Sequence, residues 1–173
     1  MKIEYRQDFH PELTNKARTR FADEINRLRA LGFSEFGFYT ELLPNYSLLT
    51  QPLIFLLAKS NREIIRVEYP MRLAMSQPLL VHRERFTYAL VFGMGVKYYS
   101  LFTDGTGLIT ANFPSHPIQD MQRKLYKSAA PRSLEECWQV HQEEINNFQR
   151  MGRQLDDGLG FEKYVTISER EQI

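Results

Sequence analysis

At 173 residues the chain has the length of one domain and is short for two, and a domain of this size buries about 70% of the surface its unfolded chain exposes, enough for a core without disulfide or metal. Hydrophobic residues at 43% and charged residues at 25% exclude bulk disorder, and 22 Lys and Arg against 21 Asp and Glu leave a net charge of +1, without the basic excess of a dedicated nucleic-acid binder. The one cysteine, Cys137, excludes an intrachain disulfide framework and points to a reducing compartment, the cytoplasm.

The opening residues MKIEYRQDFH carry charges throughout and lack the apolar run of a signal peptide. From Glu12 to Leu31, Leu13, Ala17, Phe21, Ile25 and Leu28 recur every three or four residues, which predicts one helix with Pro11 at its start and Gly32 just past its end. From Phe33 the period changes to two. Phe36, Phe38, Thr40 and Leu42 share one face of a strand, with Glu35, Tyr39 and Glu41 on the other. Leu53 to Lys59 and Ile64 to Tyr69 read as two further strands, joined in a hairpin through Ser60, Asn61 and Arg62. The apolar segment from Pro52 to Ala58 is about half the roughly 20 residues a membrane-spanning helix needs, so it reads as a buried strand. From Pro70 to Glu84 neither period is evident.

Phe86 to Phe92, Val96 to Thr103 and Leu108 to Phe113 are strands. The last two are joined by Asp104-Gly105-Thr106-Gly107, where Asp-Gly favours a hairpin because both residues tolerate positive φ. Gly93-Met94-Gly95 is a turn or kink before them, and it lacks the third glycine, lysine and following helix of a phosphate loop. Ile118, Met121 and Leu125 suggest a short helix. Ser133 with Glu136 matches a capping box and opens a longer helix, whose stripe is Leu134, Cys137, Trp138, His141, Ile145 and Phe148 and whose end lies near Gly152. Phe161, Val165 and Ile167 suggest a final short strand, with 168–173 frayed. The order predicts an α+β fold over residues 1–173 as a single domain: an antiparallel sheet of about six strands with an N-terminal helix and C-terminal helices packed against it.

Candidate chemistry is sparse. Cys137 and His141 stand four apart on one helical face, a spacing that suits a thiolate–imidazole pair and equally suits a small hydrophobe beside a hydrogen-bonded core histidine. His116, between Pro114 and Pro117 at a strand end, is a candidate acid or base, whereas His82 in its charged run reads as solvated. Asp104 reads as a turn residue. Arg66, Arg83 and Arg85, with Arg62 and Arg72, form an anion-binding face if neighbouring strands gather them, or a solvated face paired with Glu63, Glu68 and Glu84. Lys97-Tyr98-Tyr99 with Phe102 has the mixture that stacks bases and also the alternation of a core strand. One cysteine and four scattered histidines imply no metal, and no cofactor motif is present.

Two functions fit. One is a non-catalytic module that binds a protein partner, a second copy as a homodimer, or an apolar or anionic small ligand. The other is a cofactor-independent enzyme with His116 or His141, and Cys137, in a pocket between sheet and helices.

Overall fold

The computed structural model describes residues 4–8, 11–43, 64–67, 72–122 and 124–172. The strand expected over 53–59 and the turn at 60–62 lie outside the described residues. The architecture is α+β, with helices packed on a mostly antiparallel sheet that contains one parallel pair. The chain divides into two compact units, one of residues 1–22 and 37–78, the other of 23–36 and 79–173.

In the first unit, β1 (Glu4–Gln7) pairs antiparallel with the latter part of β2 (Ser34–Leu43), from Glu4 opposite Leu42 to Gln7 opposite Tyr39. Asp8 closes this pair. Its backbone N–H donates to Phe38 O at 2.9 Å, and its carboxylate accepts from Phe38 N–H at 2.8 Å. Helix α1 (Pro11–Arg20) buries Leu13 and Ala17. The first part of β4 (Arg72–His82) pairs antiparallel with β3 (Ile64–Val67), in the segment whose sequence showed no period. The period fails there because Ser76 and Gln77 are buried polar residues, and Thr40 donates to the Ser76 hydroxyl at 3.4 Å.

The helix expected over 12–31 is two, α1 and α2 (Ala22–Ala30), separated at Phe21. Phe21 N–H donates to Ala17 O at 3.0 Å at the end of α1. Ile25 and Leu28, on α2, are buried in the second unit.

That second unit is built on the end of β4, β5 (Thr87–Phe92), β6 (Gly95–Leu101), β7 (Gly107–Ala111), β8 (Ile118–Asp120) and β9 (Leu125–Ala129). Successive strands β4 to β7 pair antiparallel, β9 joins β7 in parallel, and β8 lies outside β9 as the last strand in the order. The expected short helix at 118–125 is therefore a strand pair. Its apparent helical spacing rested on Met121, which is an exposed turn residue. Helix α3 (Leu134–Arg150) covers β6 and β7 on one face, and α4 (Phe161–Gln172) covers β6 on the other. The capping box of α3 is complete: Glu136 N–H donates to Ser133 Oγ at 3.1 Å and Ser133 N–H to the Glu136 carboxylate at 2.9 Å. All six stripe residues of α3 are buried.

Helix α4 replaces the expected strand and frayed end. Tyr164, Ile167, Ser168 and Glu171 form its inner face, and a stripe containing a hydroxyl and a carboxylate does not register as amphipathic. The β6–β7 hairpin forms at Asp104-Gly105 as expected, with Gly105 at φ +83°. Gly105→Val should lower unfolding free energy by about 1–3 kcal/mol in urea denaturation, since a β-branched residue is strained at that φ. Gly95→Ala should cost at least as much: besides φ +144°, its Cβ would overlap the Asn112 side chain, whose carbonyl accepts Val96 N–H at 2.7 Å.

Candidate functional site

The α3 face of the sheet carries a polar chain inside the core. His141 Nδ1 lies 2.8 Å from Thr110 Oγ1 and Nε2 lies 3.0 Å from Ser100 Oγ. Ser100 Oγ lies 2.8 Å from Thr87 Oγ1, which in turn donates to Arg85 O at 2.9 Å. That last bond uses the only Thr87 hydroxyl proton, so Ser100 donates to Thr87. Ser100 then accepts from His141 Nε2–H, and Nδ1 accepts from Thr110. These directions are those of a neutral imidazole protonated on Nε2. Burial agrees, pushing the His141 pKa down to about 3.

Cys137, one turn earlier, is fully buried, and desolvation pushes its thiol up to about 12. A neutral thiol is a poor nucleophile and a poor ligand. His116 is exposed in the loop after β7, so the structure does not bring it to Cys137 and His141. His82, expected to be solvated, is half-buried: its ring stacks on Trp138 at 5.3 Å and meets Phe33 edge-on at 5.2 Å. Burial lowers its pKa. Arg83 and Arg85 sit on an exposed 3-10 turn in the second unit, whereas Arg66 lies on β3 in the first. Tyr98, Tyr99 and Phe102 are buried, with Tyr98 donating to Leu134 O at 3.0 Å, so they are core residues and not a stacking platform. Among the described residues no three His, Cys, Asp or Glu side chains form a metal-ligand group, and no helix is long and apolar enough to cross a membrane.

A cavity among the described residues lies away from this polar chain. Helix α3 lies mainly over β6 and β7 and reaches β9 only at Phe148 and Tyr126, and the β8–β9 pair carries the sheet beyond it. A groove of about 360 Å³ results. Leu108, Tyr126 and Phe148 give it an apolar body, Pro117, Ile118 and Gln119 form the wall from β8, and Glu144 lines the α3 side. Phe148 and Tyr126 meet edge to face at 5.0 Å, which sets their rings. Ser128 also lines the groove. Its hydroxyl oxygen is buried beneath the groove surface and has no hydrogen-bond partner among the described residues. Lys127 is a neighbour whose ammonium is already engaged by Ser115 at 2.7 Å and Glu171 at 2.5 Å.

Neither Ser128 nor Glu144 stood out in the sequence. Ser128 follows Lys127 in a strand too short to show alternation, and Glu144 is one acid among several on a helix. Only the register of β9 on β7, with Thr110 opposite Ser128, places the hydroxyl on the α3 side. Against protein-family models, curated proteins and solved structures, the chain matches none.

Two outcomes follow from the polar chain and the thiol. An unfolded histidine takes up a proton as pH falls through 6.5, whereas folded His141 resists until about 3, so stability declines with falling pH across that window. At about 1.4 kcal/mol per pH unit, urea denaturation at pH 7 and pH 5 should differ by roughly 2 kcal/mol from this residue. His141→Gln should flatten that difference; an unchanged slope would contradict a neutral buried ring. Iodoacetamide should label Cys137 slowly in the native protein and fast after denaturation, and rapid native labelling would show an accessible thiolate.

Proposed function

We propose that the protein is a non-catalytic binding module that takes a small primary amine with an apolar body in the groove between α3 and the β8–β9 pair. The observation that carries this reading is the Glu144 carboxylate on the α3 side of a groove whose body is apolar. An ammonium group is a three-donor head with no acceptor, so it needs lone pairs, and the Glu144 carboxylate supplies them. Tyr126 and Phe148 offer apolar area for the body. The volume is at the lower end of the roughly 300–1,000 Å³ typical of small-ligand sites.

The enzyme reading gains less support. His141 has both nitrogens engaged and no exposed surface, Cys137 is held neutral, and His116 is not among the residues lining the groove. An acid–base mechanism needs two converging polar groups able to exchange protons with a substrate.

The test uses 2-phenylethylamine against phenylacetate, which match in body and differ in the sign of the head. Amide shifts in the 15N-labelled protein should saturate with the amine at residues 108, 126–128 and 144–148, and phenylacetate should leave them in place. Glu144→Gln should weaken the amine by about tenfold, the scale of one charge-assisted contact. Equal binding of both compounds, or no saturable shift at those residues, would overturn the proposal.

A further inference from the structure

The β6–β7 hairpin tip draws cations from three separate elements. Lys124, in the β8–β9 turn, donates to Asp104 O at 2.6 Å. Arg170, on α4, donates to Gly105 O at 2.5 Å. Arg153, after α3, donates to Thr106 Oγ1 at 2.6 Å, and its Nε lies 3.7 Å from the Asp104 carboxylate. Three positive side chains thus meet three consecutive turn residues, and among the described residues Asp104 is the carboxylate bonded within that turn.

The kind of acceptor matters. Two of the cations are held by backbone carbonyls and one mainly by a hydroxyl, and these neutral groups fix position without cancelling charge. Asp104 offsets one charge of the three, and its side chain remains 45% exposed. Each guanidinium has five N–H donors and each ammonium three, so donors remain after the turn contacts are made. Asp104 is itself held by Thr106 N–H at 2.9 Å, so it cannot swing across the tip to pair with Lys124 and Arg170 without breaking the turn. Lys124 sits at φ +50°, a left-handed backbone that lysine rarely adopts, and its carbonyl accepts Gly107 N–H at 2.7 Å. The chain therefore holds this lysine at the tip in a conformation that asparagine or glycine would adopt more readily. Immobilised cations with unused donors are the arrangement that recognises a compact, doubly charged oxyanion, because the ordering cost is met before the ligand arrives. Arg153 also packs over the Phe148 and Tyr126 rings at 4.9 and 5.6 Å, which further restricts its guanidinium.

We propose that Lys124, Arg153 and Arg170 around the β6–β7 tip form a binding site for the phosphate group of a small phosphomonoester. The site adjoins the amine groove through Arg153, which packs on Tyr126 and Phe148, but it selects the opposite charge and is read at the turn amides, so either can fail without the other.

The experiment titrates the 15N-labelled full chain with inorganic phosphate and with phenyl phosphate, ionic strength being held constant with sodium chloride. Saturable shifts of the Gly105, Thr106 and Gly107 amides with phenyl phosphate are expected, with a midpoint in the millimolar range or below. Lys124→Gln and Arg170→Gln should each raise that midpoint about tenfold, and Arg170→Lys should raise it less, since it keeps the charge and loses only the fork. Identical shifts in sodium chloride alone would overturn the site. So would a midpoint unmoved in both Gln variants. Binding of inorganic phosphate without phenyl phosphate would overturn the ester as ligand. If a Gln variant does not fold, the wild-type comparison of phenyl phosphate with chloride decides the matter by itself.

Discussion

The second unit is organised around one neutral imidazole. His141 reaches Thr110 on β7 and Ser100 on β6, and Ser100 passes the chain to Thr87 on β5. One helix residue therefore bonds into two strands and orders a third. Hydroxyls in the middle of a sheet would ordinarily be orphaned under a helix; here each completes the next. Such a network is worth most when every member is satisfied, because the same low dielectric that strengthens it makes any gap costly. It also explains why α3 lies over β6 and β7 and does not slide toward β8.

The opposite face is closed by different chemistry. Glu171, near the end of α4, accepts Lys97 at 2.7 Å and Lys127 at 2.5 Å, and Tyr99 donates to its other oxygen at 3.3 Å. The two ammonium groups hold this carboxylate below its ordinary range despite burial. Lys97 also lies over the Phe92 and Phe113 rings at 5.4 and 5.9 Å. Ahead of this charged end, Tyr164 packs between Tyr88 and Tyr99 at 5.6 and 5.2 Å. The helix is thus positioned by aromatic packing along its length and by charge at its end. Breaking a buried pair of this kind leaves an uncompensated ion, so the register of α4 on the sheet is strongly specified.

These two closures decide where surface is left open. The polar chain holds α3 at β7, while parallel addition of β9 and the outer strand β8 extends the sheet past it. The groove with Ser128 and Glu144 is the consequence of that mismatch in width, not of a motif. The basic tip has a comparable origin: the β6–β7 hairpin projects to where the β8–β9 turn, the α3 exit and α4 all pass, and each contributes a cation.

Local chemistry was legible in the sequence wherever partners lie within a few residues. The capping box at Ser133 and Glu136, the buried stripe from Leu134 to Phe148, and the turn at Asp104-Gly105 are all encoded by neighbours. The α+β class was legible too, from the change of period at Phe33 and its return in the C-terminal helix. Where a residue's partner is distant, the pattern misled. Lys127 hides a strand because a buried lysine reads as exposed until Glu171, 44 positions later, is known to meet it. Glu171 hides a helix stripe for the reciprocal reason, and Ser76 and Gln77 blur β4 because buried polar residues break the alternation. The candidate sites show the same division. Spacing alone put Cys137 and His141 on one face, and it could not say that Thr110 and Ser100 would saturate the imidazole. The groove and the basic tip join residues from separate elements, with no local signature to record them. Register and helix placement are collective properties of the packed chain, and only the tertiary structure decided them.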